Sequence, residues 1–205
     1  MTQARRLTLI DLIRHGEPVG GQRYRGQTDD PLSATGWNQM REAVAGLANW
    51  DVIVTSPLSR CAEFARELGG KLALPVKEDE RLKEIGFGAW EGLTPEEISR
   101  NDPEILRRFW QDPVRHRPQG AETLADFRVR VHAAWQDLTD KFAQQRILVV
   151  AHAGVIRMCI SLVLGVPLDN IFRIRVENAG LTRIRVEHGD SGQFPTLVFH
   201  GGKPR

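Results

Sequence analysis

Three short apolar runs constrain this chain more than any other feature: "LTLIDLI" at 7–13, "DVIVT" at 51–55 and "RILVVA" at 146–151. Each has the length and the Leu/Ile/Val/Thr content of a strand, and none alternates cleanly, so each predicts a strand covered on both faces. Between them the apolar spacing becomes helical. Trp37, Met40, Val44 and Leu47 recur at intervals of 3, 4 and 3, the stripe of an amphipathic helix. After the second run, Ser56 offers an N-cap and Pro57 a first helical position. Leu58, Cys61, Ala65 and Leu68 then mark a helix that Gly69 and Gly70 are expected to stop. A longer helix runs from Leu124 through Phe127, Val131 and Trp135 to Leu138, and an apolar one follows the third run and ends at Gly165.

Strands alternating with helices predict an α/β fold of three layers, helices on both faces of a mostly parallel sheet. The pattern changes after residue 170, where "FRIRV", "LTRIRV" and "PTLVF" alternate and predict antiparallel strands at the sheet edge near the C-terminus. In the less regular middle, "TPEE" at 94–97 has the spacing of a capping box. With 205 residues, the span 1–205 is expected to form one domain.

Charge and composition exclude several classes. The 28 basic and 26 acidic side chains leave a formal +2 spread along the chain, which is no footprint for nucleic acid. No stretch approaches the length of a membrane span. The opening "MTQARRLTLIDLI" lacks a cleavage site, and its apolar part is interrupted by Asp11, so it reads as the first strand. Cys61 and Cys159 fall in apolar helical patterns and are expected as buried free thiols, which points to a reducing, cytoplasmic setting.

Parallel sheets bind ligands beyond the carboxyl ends of their strands. Arg14 and His15 follow the first run, Arg60 lies in the first turn after the second, and His152 directly follows the third. Two arginines and two histidines at one end of a sheet suit an anion, and a phosphoryl group best, because the guanidinium fork matches its oxygens. Crowded cations also hold an imidazole neutral, as a nucleophile must be. No metal is expected: the arginines would repel a dication, and no carboxylate stands at ligand spacing from either histidine. Departure of an alkoxide requires an acid. Glu80, Glu84 and Glu91 all stand in the loop "ERLKEIGFGAWEG", and spacing alone does not choose among them.

"RHGE" at 14–17, "RGQTDDPLSATG" at 25–36, "SPLSRCAEFA" at 56–65, "EIGFGAWEG" at 84–92 and "AHAGVIR" at 151–157 together resemble the histidine phosphatase superfamily, which includes the phosphoglycerate mutases. The resemblance implies that His15 is a nucleophile forming a phosphohistidine, and that Arg14, Arg60 and His152 complete the phosphate pocket. It makes Glu84 the proton donor, implies no cofactor, and allows a homodimer through edge strands. It also places Arg25 and Gly26 against the substrate, with a glycine amide free to approach it. Phe87 stands where mutases have a tyrosine. "PVGGQR" lacks the mutase asparagine, "HAG" at 152–154 replaces His-Gly-Asn, and the interval 84–152 is short for the mutase insertion. Mutase activity is therefore disfavoured.

Within the superfamily, "YRGQTDDPLSATGWNQM" and "RFWQDPVRHRPQGAETLADF" are similar to bacterial alpha-ribazole phosphatases. That similarity implies hydrolysis of alpha-ribazole 5'-phosphate, or of cobalamin 5'-phosphate, in cobalamin biosynthesis. A broad-specificity organic phosphatase is the alternative, and a catalytically idle regulatory module is the alternative outside enzymes. Some side chains stay two-sided. Phe87 and Trp90 either wall the leaving group or pack in the core. Arg115, His116, Arg117 and Glu122 either reach the substrate or form a solvated loop, and Glu17 orients the nucleophile or braces its loop by a salt bridge. His116, His132, His188 and His200 are expected at the surface or at strand ends.

Overall fold

The computed structural model describes residues 6–202, so both ends of the expected 1–205 domain lie outside it. Six strands form one sheet in the order β3-β2-β4-β1-β5-β6. They are β1 (Arg6–Arg14), β2 (Val52–Thr55), β3 (Val76–Glu78), β4 (Arg146–Ala151), β5 (Leu181–Gly189) and β6 (Gly192–Gly202). β3, β2, β4 and β1 run parallel, while β5 and β6 continue the sheet antiparallel. The predicted mostly parallel sheet with C-terminal antiparallel strands is what forms.

The helices are α1 (Ala34–Ala43), α2 (Ser59–Leu72), α3 (Pro95–Ser99), α4 (Ile105–Gln111), α5 (Leu124–Lys141) and α6 (Ala153–Leu164). Successive strand residues face opposite sides, and the core divides accordingly. Ile10, Leu12, Val54, Ile147 and Val149 pack with Phe127, Val131 and Trp135 of α5 and Ile156 of α6. Ile13, Ile53, Leu148 and Val150 pack with Met40 of α1 and Cys61, Phe64 and Leu68 of α2. Two helical layers thus enclose the sheet. Among the described residues, no helix is long and apolar enough to cross a membrane.

Four local expectations are corrected. Ser56 does not cap α2, which begins at Ser59 behind Leu58 without a side-chain cap. Gly69 and Gly70 do not end that helix. It continues to Leu72 and stops where Ala73 turns left-handed. Gly69 is a packing glycine instead, since a Cβ there would fall 2.3 Å from Val76 Cγ2 and push α2 off β3. α1 ends at Ala43, before Val44 and Leu47, which pack from the turns beyond it. "FRIRV" is not a strand. Its start belongs to a 3-10 segment, Leu168–Arg173, and Ile171 and Val176 are buried in the core beside α6, so burial and not strand pairing governs its pattern. The capping box forms in full, with Thr94 and Glu97 each bonding the other's backbone. Cys61 and Cys159 are buried free thiols.

Candidate active site

The ends of β1, β2 and β4 are stitched together. The amide of His15 donates to the carbonyl of Ala151 at 3.0 Å, and that of Ser56 to Val150 at 3.0 Å. β4 then hands directly to α6, with His152 at the N-cap position. The three ends bring the rings of His15 and His152 to 5.2 Å between centroids, at 64°, with Ser56 Oγ 2.8 Å from His152 Nε2. Just past His15, Gly16 lies so close to the first turn of α1 that a Cβ would fall 2.3 Å from the carbonyl oxygen of Gly36.

Both imidazoles are buried and their pKa values lie well below the ordinary 6.5. Burial is the main cause for each, followed by Arg14 and Arg60 for His15 and by Arg60 for His152. His15 Nδ1 sits 2.7 Å from the carbonyl of Gly16. A carbonyl only accepts, so in the neutral ring the proton resides on Nδ1 and the lone pair on Nε2. That is the state of a nucleophile.

The two arginines are held by backbone carbonyls. Arg60 donates to Thr28 at 2.8 Å and to Gly26 at 2.9 Å, and Arg14 donates to Val176 at 2.7 Å. Their Nε–H groups, both buried, have no hydrogen-bond partner among the described residues. Leaving a buried donor unsatisfied costs roughly 1–3 kcal/mol, and an oxyanion is the acceptor that matches two buried guanidinium groups.

The structure separates the three glutamates that spacing left open. Glu84 Oε2 accepts the amide of Gly154, in the first turn of α6, at 3.1 Å, and Oε1 accepts that of Ile85 at 3.0 Å. Its charge acts on Arg14 and on Arg157. Glu80 is exposed and paired with Lys83. Glu91 ties two loops together by accepting from the amides of Gln27 (3.2 Å) and Phe87 (2.9 Å) and the hydroxyl of Thr28 (3.2 Å).

The other expected residues make the following contacts. Arg25 spends its guanidinium on its own loop, donating to Asp30 at 2.9 Å, Val19 at 2.5 Å and Gly21 at 2.7 Å, although its charge still acts on His15. Gly26 adopts φ +55°, and its carbonyl accepts from Arg60. The Phe87 ring lies edge-on to Tyr24 and Phe109, with centroids at 5.1 and 6.3 Å. Trp90 is buried in the same aromatic cluster and packs as core. Arg115 is exposed and paired with Asp112, Arg117 holds the carbonyl of Ala121, and His116 is exposed. His132 is exposed on α5, while His188 and His200 bond Thr8 and Thr182 on the sheet. Glu17 accepts from the hydroxyl of Ser33 at 2.8 Å and, among the described residues, forms no ion pair. Among the described residues, no cluster of His, Cys, Asp and Glu could hold a metal ion.

Sequence reasoning missed Ser56, Gly154, Arg157 and Arg130 as parts of this region. The first three stand inside motifs already singled out, and only their contacts reveal them. Arg130 gave no signal, being one charge among several at the polar positions of a long helix.

Neutral imidazoles ringed by guanidinium groups at the mouth of a parallel sheet are chemically suited to a tetrahedral oxyanion. The chain belongs to the histidine phosphatase superfamily (branch 1), whose sequence pattern matches residues 10–194. A bifunctional protein of Mycobacterium tuberculosis is 34% identical over 200 residues, covering 95% of this chain and 54% of that protein, so the chain spans about half the length of that relative. A mycobacterial glucosyl-3-phosphoglycerate phosphatase structure superimposes with a TM-score of 0.86 at 27% identity, covering 97% of this chain and 100% of that one. The alpha-ribazole phosphatase from Shigella flexneri does so with a TM-score of 0.79 at 27% identity, covering 95% and 96%.

Proposed function

We propose that this chain is a phosphomonoesterase that works through a phosphohistidine on His15. The observation that carries this reading is the pair of orphaned Nε–H donors of Arg14 and Arg60 beside an imidazole held neutral by burial and those same cations. In the first step His15 Nε2 attacks phosphorus in line while Arg14, Arg60 and His152 take up the charge of the phosphoryl oxygens. The ester bond breaks, and Glu84 gives its proton to the departing alkoxide. Water then attacks the phosphohistidine with Glu84 as base, which releases inorganic phosphate and restores the enzyme. No step calls for a cofactor, and the protein acts in the cytoplasm on a small-molecule ester.

For the substrate we propose alpha-ribazole 5'-phosphate, or the cobalamin 5'-phosphate that carries the same group. The sequence similarity to alpha-ribazole phosphatases supports this, and so does the aromatic cluster beside the acid loop. Tyr24, Phe87, Trp110 and Phe172 stand there, with Trp110 41% exposed, a surface on which a planar base can stack. A second reading has its own observation. Arg157 feels the charge of Glu84, and a cation beside the acid suits an alcohol that bears an anionic group, such as a phosphoglycerate derivative.

The test is phosphate release, compared by kcat/KM, from alpha-ribazole 5'-phosphate, 3-phosphoglycerate, fructose 2,6-bisphosphate and p-nitrophenyl phosphate. A preference of several orders of magnitude for the ribazole ester places the protein in cobalamin assembly. Preference for an anionic alcohol favours the second reading, and a flat profile that depends on His15 gives a broad-specificity phosphatase. No turnover on any ester returns the idle regulatory module.

A further inference from the structure

Arg130 lies on α5, outside the phosphate pocket, yet three of its five hydrogen bonds go to the loop that bears Glu84 and the other two to Glu122. Nη1 donates to the carbonyls of Arg81 and Lys83, both at 2.7 Å. Nη2 donates to the carbonyl of Glu84 itself at 2.9 Å. Nε and Nη2 also grip the two carboxylate oxygens of Glu122 at 2.7 and 2.8 Å. Glu122 completes the hold from the other side. Its Oε2 accepts the amide of Gly86 at 3.2 Å, and its own amide donates to the Gly86 carbonyl at 2.9 Å.

The backbone on both sides of Glu84 is therefore pinned by one ion pair, with side chains only 20% and 17% exposed. The guanidinium lies over the Phe127 ring, 4.6 Å from its centroid, and Phe127 is fully buried in the core. The clamp is thus anchored to the buried core. We propose that Arg130 and Glu122 are positioning residues for proton transfer, fixing the loop so that the Glu84 carboxyl meets the leaving oxygen. The proposal rests on the reading of Glu84 as the acid.

An arginine is required by geometry. Three carbonyls and a bidentate carboxylate need five bonds from a planar fork, whereas a lysine offers three donors from a single atom. Misplacement of a catalytic group by about 1 Å can cost 10²-fold in rate.

The experiment compares Arg130→Met, Arg130→Lys and Glu122→Gln with the unsubstituted enzyme, each checked for cooperative thermal unfolding. Turnover is read on an alkyl phosphate and on p-nitrophenyl phosphate, with inhibition by inorganic phosphate as a gauge of the pocket. Arg130→Met is expected to lower kcat on the alkyl ester about 10- to 100-fold. On p-nitrophenyl phosphate, whose phenolate needs little protonation, the loss is a few-fold at most, and inhibition by phosphate is unchanged. Arg130→Lys recovers only part of the loss. In a Glu84→Gln background, Arg130→Met adds no further loss on the alkyl ester. Equal losses on both esters, weaker phosphate inhibition or full additivity with Glu84→Gln overturns the clamp. If Arg130→Met fails to fold, the same comparison with Glu122→Gln decides. An unsubstituted enzyme without His15-dependent turnover overturns the functional reading, an outcome distinct from the others.

Discussion

Gly154 and Glu84 meet so closely that no methyl group fits between them. The amide of Gly154 donates to Glu84 Oε2 at 3.1 Å, and a Cβ on Gly154 would fall 2.2 Å from Oε1. The first turn of α6 therefore carries His152 at its cap and seats the acid two residues later. Gly154→Ala should displace the carboxyl while leaving both histidines in place. Turnover of an alkyl phosphate should fall about tenfold or more, p-nitrophenyl phosphate should be affected much less, and Tm should change little. Loss of both activities in parallel would separate Gly154 from the acid.

Glu84→Gln tests the proton itself. The amide keeps a similar shape and cannot give up a proton, so turnover on a poor leaving group should fall by about 10² to 10⁴. On p-nitrophenyl phosphate the fall should be far smaller. Equal falls on the two substrates would take the acid's role away from Glu84.

How much of this was legible follows from which interactions are local. The strands at 7–13, 51–55 and 146–151 and the capping box at Thr94 were readable because the pattern of each lies within a few residues. The placing of His15, Arg60 and His152 at one end of the sheet followed from the fold class, since each stands just past a strand. Ser56 accepts the amide of Leu58 at 3.3 Å, as a serine before proline can, but its shorter contact, 2.8 Å to His152, lies 96 residues away and leaves no local sign. Gly69 was misread for the same reason, its Val76 contact being invisible in a helical window. Arg130 shows the opposite limit. One arginine on a long helix looks like any other in a sequence, and its grip on the carbonyls of Arg81, Lys83 and Glu84 appears only in the fold.

His15→Ala removes the atom to which the phosphoryl group would be transferred. Turnover and labelling of the protein by a radioactive phosphate ester should disappear together, with cooperative unfolding retained. A variant that still hydrolyses esters at a normal rate would show that water attacks the ester directly.

Exhaustive treatment with a chelator should leave activity intact. The charges that act on His15 are those of Arg14, Arg60 and Arg25, and among the described residues no donor cluster could hold a metal. If activity is lost and divalent ions restore it, the phosphohistidine mechanism as drawn here is wrong.

The two buried imidazoles also make stability depend on pH, with a definite sign. Both folded pKa values lie well below the ordinary 6.5, through burial first and the neighbouring arginines second. Well above pH 6.5 both rings are neutral folded or unfolded, and neither contributes a slope. As pH falls below 6.5 the unfolded chain binds protons that the folded protein refuses, so stability drops until the folded pKa is reached. Each ring contributes about 0.7 kcal/mol per pH unit at pH 6.5, where the unfolded histidine is half protonated, rising toward about 1.4 kcal/mol per pH unit further down. Carboxylates titrate there too, so the informative quantity is a difference. The slope of unfolding free energy between pH 6.5 and 5.5 should be smaller in His15→Asn than in the unsubstituted protein by about 1 kcal/mol per pH unit. Equal slopes would mean that His15 takes up its proton in the folded state as readily as in the unfolded one, and is not held neutral for attack.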